Sequence, residues 1–223
     1  VNIGVPPKYL NDYDTTRAVQ EENEDPKSYR EAMESKNAAE WKRAMQEEMM
    51  SIEKNDTWDE VELPYRQHAV GSKWVFKTKP MEDGTVIRKA RLVAQGFSQK
   101  YGVNYDEVFA PVARGSTMRL LLSVAGARGY TVKQYDVKSA FLNGKLEEEV
   151  YMRSPPGIEN NGKVYRLKKS LYGLKQAARV WNQTLNESLT RNGCKQNKTD
   201  NCLYSFASGG KIVYLIVHVD DII

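Results

Sequence analysis

Residues 211–221 read Lys-Ile-Val-Tyr-Leu-Ile-Val-His-Val-Asp-Asp, an apolar run that delivers two adjacent carboxylates at its far end. A short run rich in β-branched and aromatic residues is a strand signal, and it follows another such run across Ser208-Gly209-Gly210. A hairpin with arms Cys202–Ala207 and Lys211–Val219 is therefore expected. Well upstream, Val132-Lys-Gln-Tyr-Asp-Val137 delivers a single carboxylate, Asp136, in the same way. A lone Asp at one strand end and an Asp-Asp pair at another suit nucleotidyl transfer. That chemistry needs two divalent cations held a few ångströms apart, activating a primer hydroxyl and stabilising the departing pyrophosphate. Mg²⁺ prefers carboxylate oxygens, waters and substrate phosphates. Taken singly, an Asp at a strand end is usually a solvated turn residue or a cap.

The net charge of +4 hides an asymmetry that bears on the substrate. Residues 1–64 hold 8 Lys/Arg against 16 Asp/Glu, whereas residues 65–223 hold 25 against 13, and the basic part carries the aspartates. A basic cleft around a carboxylate site implies a polyanion, most simply nucleic acid; a merely soluble basic surface accounts for the charge about as well. The longest uninterrupted apolar stretch, Ile212–Val217, is six residues long, against the about 20 that a membrane helix requires. With no charged-then-apolar leader, the expected setting is intracellular. Cys194 and Cys202 lack metal-like spacing and read as reduced thiols. The chain starts at Val1 rather than Met and reads as a piece of something longer.

Residues 1–27 are polar, aperiodic and contain Pro6, Pro7 and Pro26, the pattern of an acidic linker or disordered spacer. Residues 28–223 form the folded part. Ser28-Tyr-Arg-Glu31 and Asn37-Ala-Ala-Glu40 resemble capping boxes, and Trp41, Met45, Met49 and Ile52 recur at helical spacing to about Asn55. Ala69–Lys79 and Thr85–Gln95 are β-rich arms around the turn Glu82-Asp83-Gly84. A helix is expected from Ser116 or Thr117 to Ala127, closed by Gly129, and a strand over Thr131–Asp136. Asn143-Gly144 is a turn and Lys163–Leu167 a short strand. A long helix should start at Gly173, with Leu174, Ala178, Trp181, Leu185 and Leu189 along one stripe and Asn192-Gly193 at its end. Antiparallel hairpins with irregularly placed helices make the fold class α+β.

Six ordered segments carry a resemblance. They are Trp74-Val-Phe-Lys77, Lys89-Ala-Arg-Leu-Val-Ala-Gln-Gly-Phe97, Phe109-Ala-Pro-Val-Ala-Arg114, Asp136-Val-Lys-Ser-Ala-Phe-Leu-Asn-Gly144, Leu171-Tyr-Gly-Leu-Lys-Gln-Ala-Ala-Arg179 and Val219-Asp-Asp221. In this order and spacing the chain resembles the reverse transcriptase domain of copia-type long-terminal-repeat retrotransposons, from about Glu40 to the last residue. The resemblance implies the fingers and palm of a right-hand polymerase, with an antiparallel palm sheet and helices packed on one face. It implies Asp136, Asp220 and Asp221 as catalytic metal ligands for two Mg²⁺ ions, with Mn²⁺ as a substitute. Asp136 and Asp220 should bridge both metals, and Asp221 is the weaker direct ligand because adjacent strand residues point to opposite faces. The thumb and ribonuclease H are expected beyond Ile223 and integrase before Val1, within a Pol polyprotein assembled in a cytoplasmic virus-like particle. In one respect the chain departs: the family usually has Tyr, less often Phe, where His218 stands beside the catalytic pair and near the primer terminus.

The resemblance also gives nucleotide-binding roles. Phe141 is the bulky residue under the sugar of the incoming nucleotide, excluding a 2′-hydroxyl; otherwise it is a core aromatic. Lys79, Arg88, Lys89 and Arg91 flank the hairpin turn and can fold over a triphosphate, or serve as edge-strand charges; Lys79 and Arg91 are the leading pair. Gly173 permits close backbone approach and Tyr172 can stack on a base or nucleotide. Lys175 and Arg179 share a helix face that can meet template phosphates, or are plain solvated charges. Expected partners are an RNA template, a DNA primer–template and dNTPs, with no membrane. The reading is RNA-directed DNA synthesis, the fragment alone being inactive. A truncated or decayed palm that only binds nucleic acid is the alternative, and an RNA-dependent RNA polymerase is disfavoured by Phe141.

Overall fold

The computed structural model describes residues 25–81 and 83–223. A short helix and a longer one open it. Ser28 caps α1 (Tyr29–Glu34), its hydroxyl accepting the Glu31 N–H at 3.2 Å. In α2 (Ala38–Lys54) the N-cap Asn37 makes no side-chain cap bond, and Glu40 instead pairs with Arg88. The expected stripe is the buried one: Trp41, Met45 and Ile52 face the core.

Three sheets follow. β1 (Trp58–Val61), β7 (Val164–Lys169), β6 (Lys145–Arg153) and β2 (Ala69–Val70) form the first, antiparallel except for the parallel β2–β6 pair. β3 (Ser72–Pro80) and β4 (Val86–Ala94) form a two-stranded ribbon across the turn at Asp83-Gly84. The third has the order β5 (Tyr135–Asp136), β11 (Asp221–Ile222), β10 (Lys211–His218), β9 (Leu203–Ser208) and β8 (Lys195–Gln196), with every neighbouring pair antiparallel. The α+β reading is therefore borne out as a mixed fold of antiparallel sheets and a few helices.

Several elements differ from the sequence expectation, among them the expected Lys211–Val219 strand, which stops at His218 so that Asp221 falls on the returning strand β11. The strand expected over Thr131–Asp136 is reduced to β5, because its partner β11 spans only two residues. The long helix begins at Ala177 rather than Gly173, since Tyr172 and Gly173 turn back against β4 (α4, Ala177–Arg191). β1 and β6 were not anticipated; their polar runs Trp58-Asp-Glu-Val61 and Lys145-Leu-Glu-Glu-Glu149 mask the strand signal, and β6 carries a bulge between Lys145 and Val150. The third helix, α3 (Gly115–Arg128), lies where expected and ends on Gly129 at φ +63°. Of the expected 1–27 spacer, residues 1–24 lie outside the described residues. Asp25 accepts the Thr78 N–H at 2.7 Å and pairs with Lys77 at 3.0 Å.

Two apolar cores result. The larger unites α1, α2, the β3–β4 ribbon, β6, β7 and the 171–177 segment, with Trp41 and Phe76 meeting edge-on at 5.2 Å. The smaller gathers Cys194, Tyr204 and Val217, with Leu185, Leu189 and Phe206 packed around them. α4 bridges the two, Ala177 in the first and Leu185 and Leu189 in the second, and the candidate site lies beside this bridge. Both cysteines are buried free thiols.

Candidate nucleotidyl-transfer site

Two antiparallel ladders meet at the aspartates. β11 lies between β5 and β10, so Asp221 is opposite Asp136 on one side and His218 on the other. Asp220, in the turn before β11, accepts the Val137 N–H through its carbonyl at 2.9 Å. This turn is tight: Val219 takes φ +59°, which a β-branched residue rarely adopts. The Trp181 indole N–H on α4 donates to the Val219 carbonyl at 2.6 Å and fixes it. Gln134 Nε2 donates to Asp221 Oδ1 at 3.1 Å. Gln134 lies just before β5, and nothing in the sequence marks it as a partner of Asp221. His218 is exposed, beside the pair as expected.

After β5 the chain turns sharply. Ser139 sits at φ +53°, ψ +40° ahead of a 3-10 turn (Ala140–Asn143), and its hydroxyl lies 3.2 Å from that of Ser51 on α2. The turn brings Phe141 edge-on to Tyr172, ring centroids 4.7 Å apart. The Arg91 guanidinium lies over the Tyr172 ring, 5.0 Å from its centroid. Burial raises the Tyr172 phenol above its ordinary value; Arg91 opposes this, while the charges of Asp220, Glu48 and Asp136 push the same way as burial. Asp220 and Asp136 thus both act on the Tyr172 side of the site. Phe141 is half-buried against the larger core, so it has both core and site contacts.

The ribbon register sorts its cations. Lys77 pairs with Lys89, Val75 with Arg91 and Lys79 with Ile87. Lys79, Lys89 and Arg91 therefore share the exposed face, while Trp74, Phe76, Ala90 and Leu92 point into the core. Lys79 and Lys89 have no ion pair among the described residues. Arg88 lies on the inner side, ion-paired to Glu40 and stacked 5.6 Å from the Trp41 ring centroid, and is removed from any nucleotide.

The remaining candidates are engaged by the protein itself. Gly173, at φ +90°, is packed on β4: a Cβ there would lie 2.1 Å from the Ala94 carbonyl oxygen. A Cβ on Gly96 would likewise lie 2.1 Å from the Gly173 oxygen, and the Ala94 N–H donates to the Tyr172 carbonyl at 2.7 Å. Its close approach is thus to β4. Lys175 falls in the turn before α4, so it does not share a helix face with Arg179; its ammonium lies 5.2 Å from the Tyr105 ring centroid. Arg179 pairs with Glu107 at 2.5 Å. Both are drawn toward the 99–107 loop, whose anchor is a buried network unforeseen in the sequence: Gln176 Nε2 donates to the Asn104 carbonyl at 2.8 Å and Gln99 Nε2 to Gln176 Oε1 at 2.9 Å.

The donor set suits Mg²⁺ or Mn²⁺, since Asp136, Asp220 and Asp221 offer only hard carboxylate oxygens. Among the described residues, no three His, Cys, Asp or Glu side chains converge as a ready-made metal centre.

Residues 55–223 match the reverse transcriptase (RNA-dependent DNA polymerase) family. The chain belongs to this family. It is 41% identical over 207 residues to the retrovirus-related Pol polyprotein from transposon TNT 1-94 of Nicotiana tabacum, which covers 91% of this chain and 16% of that protein. It is 39% identical over 206 residues to the counterpart from transposon RE2 of Arabidopsis thaliana, covering 90% and 14%. The Ty1-LR2 Gag-Pol polyprotein of Saccharomyces cerevisiae is 32% identical over 186 residues, covering 81% and 10%. This reverse transcriptase-like domain of copia-type Pol polyproteins thus spans less than a fifth of the length of these relatives. Among the described residues no helix is long and apolar enough to cross a membrane.

Proposed function

We propose that the chain forms the fingers and palm of an RNA-directed DNA polymerase that extends a primer 3′-hydroxyl from deoxynucleoside triphosphates, in the setting of a Pol polyprotein. The observation that carries this reading is the three-strand junction: Asp136 opposite Asp221, with Asp220 tied to Val137 between them. Asp136, Asp220 and Asp221 would hold two Mg²⁺ or Mn²⁺ ions. Such ions supply Lewis acidity at the attacking hydroxyl and at the departing pyrophosphate.

The residues around the carboxylates have distinct tasks. Phe141 and Tyr172 form an apolar wall that receives the deoxyribose and leaves no room for a 2′-hydroxyl. Arg91, with Lys79 and Lys89 on the same ribbon face, meets the triphosphate, where fixed cations stabilise charge that develops during transfer. His218 borders the primer end. Lys175 and Arg179, close to the 99–107 loop, serve the template backbone.

Primer extension on an RNA template tests this, in the chain and in a longer Pol polypeptide that carries it. Asp136→Asn or Asp220→Asn should abolish extension by the longer polypeptide while leaving folding and template affinity nearly intact. Substantial extension by either variant overturns the assignment.

A further inference from the structure

Glu48 lies half-buried on α2 where the helix crosses β4, and its Oε1 accepts the Leu92 N–H at 3.2 Å. Burial raises its carboxyl above the usual carboxylate range, opposed by the Leu92 N–H and by the charge of Arg91. These are the groups that hold the ionised form in place. Arg91 precedes Leu92, so its side chain leaves the other face of β4, reaching Tyr172 with its guanidinium 5.0 Å from the ring centroid. Tyr172 in turn meets Phe141 at 4.7 Å. From α2 the Glu48–Leu92 hydrogen bond reaches the peptide that joins Arg91 to Leu92, and from the Arg91 guanidinium the ring contacts lead through Tyr172 to the turn after Asp136.

We infer that Glu48 is a positioning residue: its carboxylate clasps β4 at Leu92 and restrains the Arg91 guanidinium on the Tyr172 ring, ready to meet the phosphates of an incoming deoxynucleoside triphosphate. This rests on the polymerase reading above. A free arginine samples many rotamers, and binding must otherwise immobilise it; restraint before binding removes that cost. The inference carries a sign. An anionic Glu48 that did nothing for Arg91 would only repel a triphosphate, so neutralising it would tighten nucleotide binding. A positioning Glu48 predicts weaker binding.

Glu48→Gln separates the two roles, because the amide oxygen can still accept the Leu92 N–H while the charge is gone. Two measurements on the full 223-residue chain are required. In ¹⁵N NMR, the Arg91 Nε–H signal should be shifted by the Tyr172 ring in the wild type and move toward its free position in Glu48→Gln, with the Leu92 amide still protected. In calorimetry, Mg²⁺·dTTP should bind Glu48→Gln about 3- to 10-fold more weakly, the scale of coupling between residues joined through a shared backbone segment. The same substitution in an Arg91→Ala background should have no further weakening effect. Unchanged or tighter binding by Glu48→Gln, an unmoved Arg91 signal, or independent effects of the two substitutions each overturn the inference. If the wild-type chain binds no dTTP, the polymerase reading and Arg91's phosphate role fail together, and the Arg91 signal still decides whether Glu48 restrains it.

Discussion

Phe141 and Tyr172 meet edge to face, and their contact ties the turn after Asp136 to the segment leading into α4. Shortening Phe141 opens space on the side toward the carboxylates while Tyr172 retains the Arg91 stack. Phe141→Val should therefore raise incorporation of ribonucleotides relative to deoxynucleotides, measured by competitive single-nucleotide extension; an unchanged preference assigns Phe141 to the core alone. Asp200 poses a question of stability. Burial by itself would raise its carboxyl, but hydrogen bonds from Thr117, Cys202 N and Arg114 N, with the Arg114 charge, leave it below its ordinary value of 3.8. A depressed folded-state pKa gives stability that is present above pH 3.8 and lost as the pH falls through the lower folded value. Asp200→Asn should cost about 1–3 kcal/mol at neutral pH. It should also flatten the acid limb of the stability profile, both followed by urea melts between pH 2 and 7.

Among the elements, the β3–β4 ribbon was legible because alternation and a Gly turn suffice to specify it. Helices α2 and α3 were legible from periodicity and a left-handed glycine. Of the carboxylate strands, β5 was legible as an apolar run ending in Asp, whereas Asp220 and Asp221, expected at the end of the Lys211–Val219 strand, instead occupy the turn and the returning strand β11. What escaped was set by tertiary pairing: β5 shrinks to the length of β11, and β6 hides behind Glu147, Glu148 and Glu149. Residues 173–176 looked helical but are recruited by β4 and by the Gln99–Gln176 network. Three contributors to the site, Glu48, Gln134 and Trp181, were invisible because each acts through one contact across a large sequence separation. Glu48 and Gln134 look like surface polars and Trp181 like ordinary core. The glycine contact with β4 gives a sharp prediction. Gly173→Ala puts a Cβ at φ +90° against the Ala94 carbonyl, so neither backbone can yield without breaking the Ala94–Tyr172 bond. A loss of at least about 1–3 kcal/mol should follow, seen as a lowered thermal midpoint.

On the scale of the whole molecule, the third sheet leaves one of its strand edges only partly paired. β10 has β9 along one edge; on the other, pairing is confined to Ile216, Val217 and His218 among the described residues. A cavity of about 830 Å³ opens there, lined by Leu121, Leu122, Tyr130, Val132, Ile212 and Tyr214 among others. Of α3 only Ala125 is buried. In the 223-residue polypeptide taken by itself, such an apolar, partly unpaired edge favours self-association. Ile212→Lys, at a site 54% exposed, should reduce light scattering at high concentration. Its effect on stability should stay within about 0.5 kcal/mol.

The close packing of Gly96 on the Gly173 oxygen, and of Gly173 on the Ala94 oxygen, also has a bearing on heredity. Every missense change in either codon introduces a Cβ, and a chain so altered loses the junction between β4 and the 171–176 segment even with Asp136, Asp220 and Asp221 intact. In a degenerating genomic copy, those two codons therefore report whether the protein can still assemble, separately from the aspartate codons, which on the polymerase reading proposed above report whether it could still react.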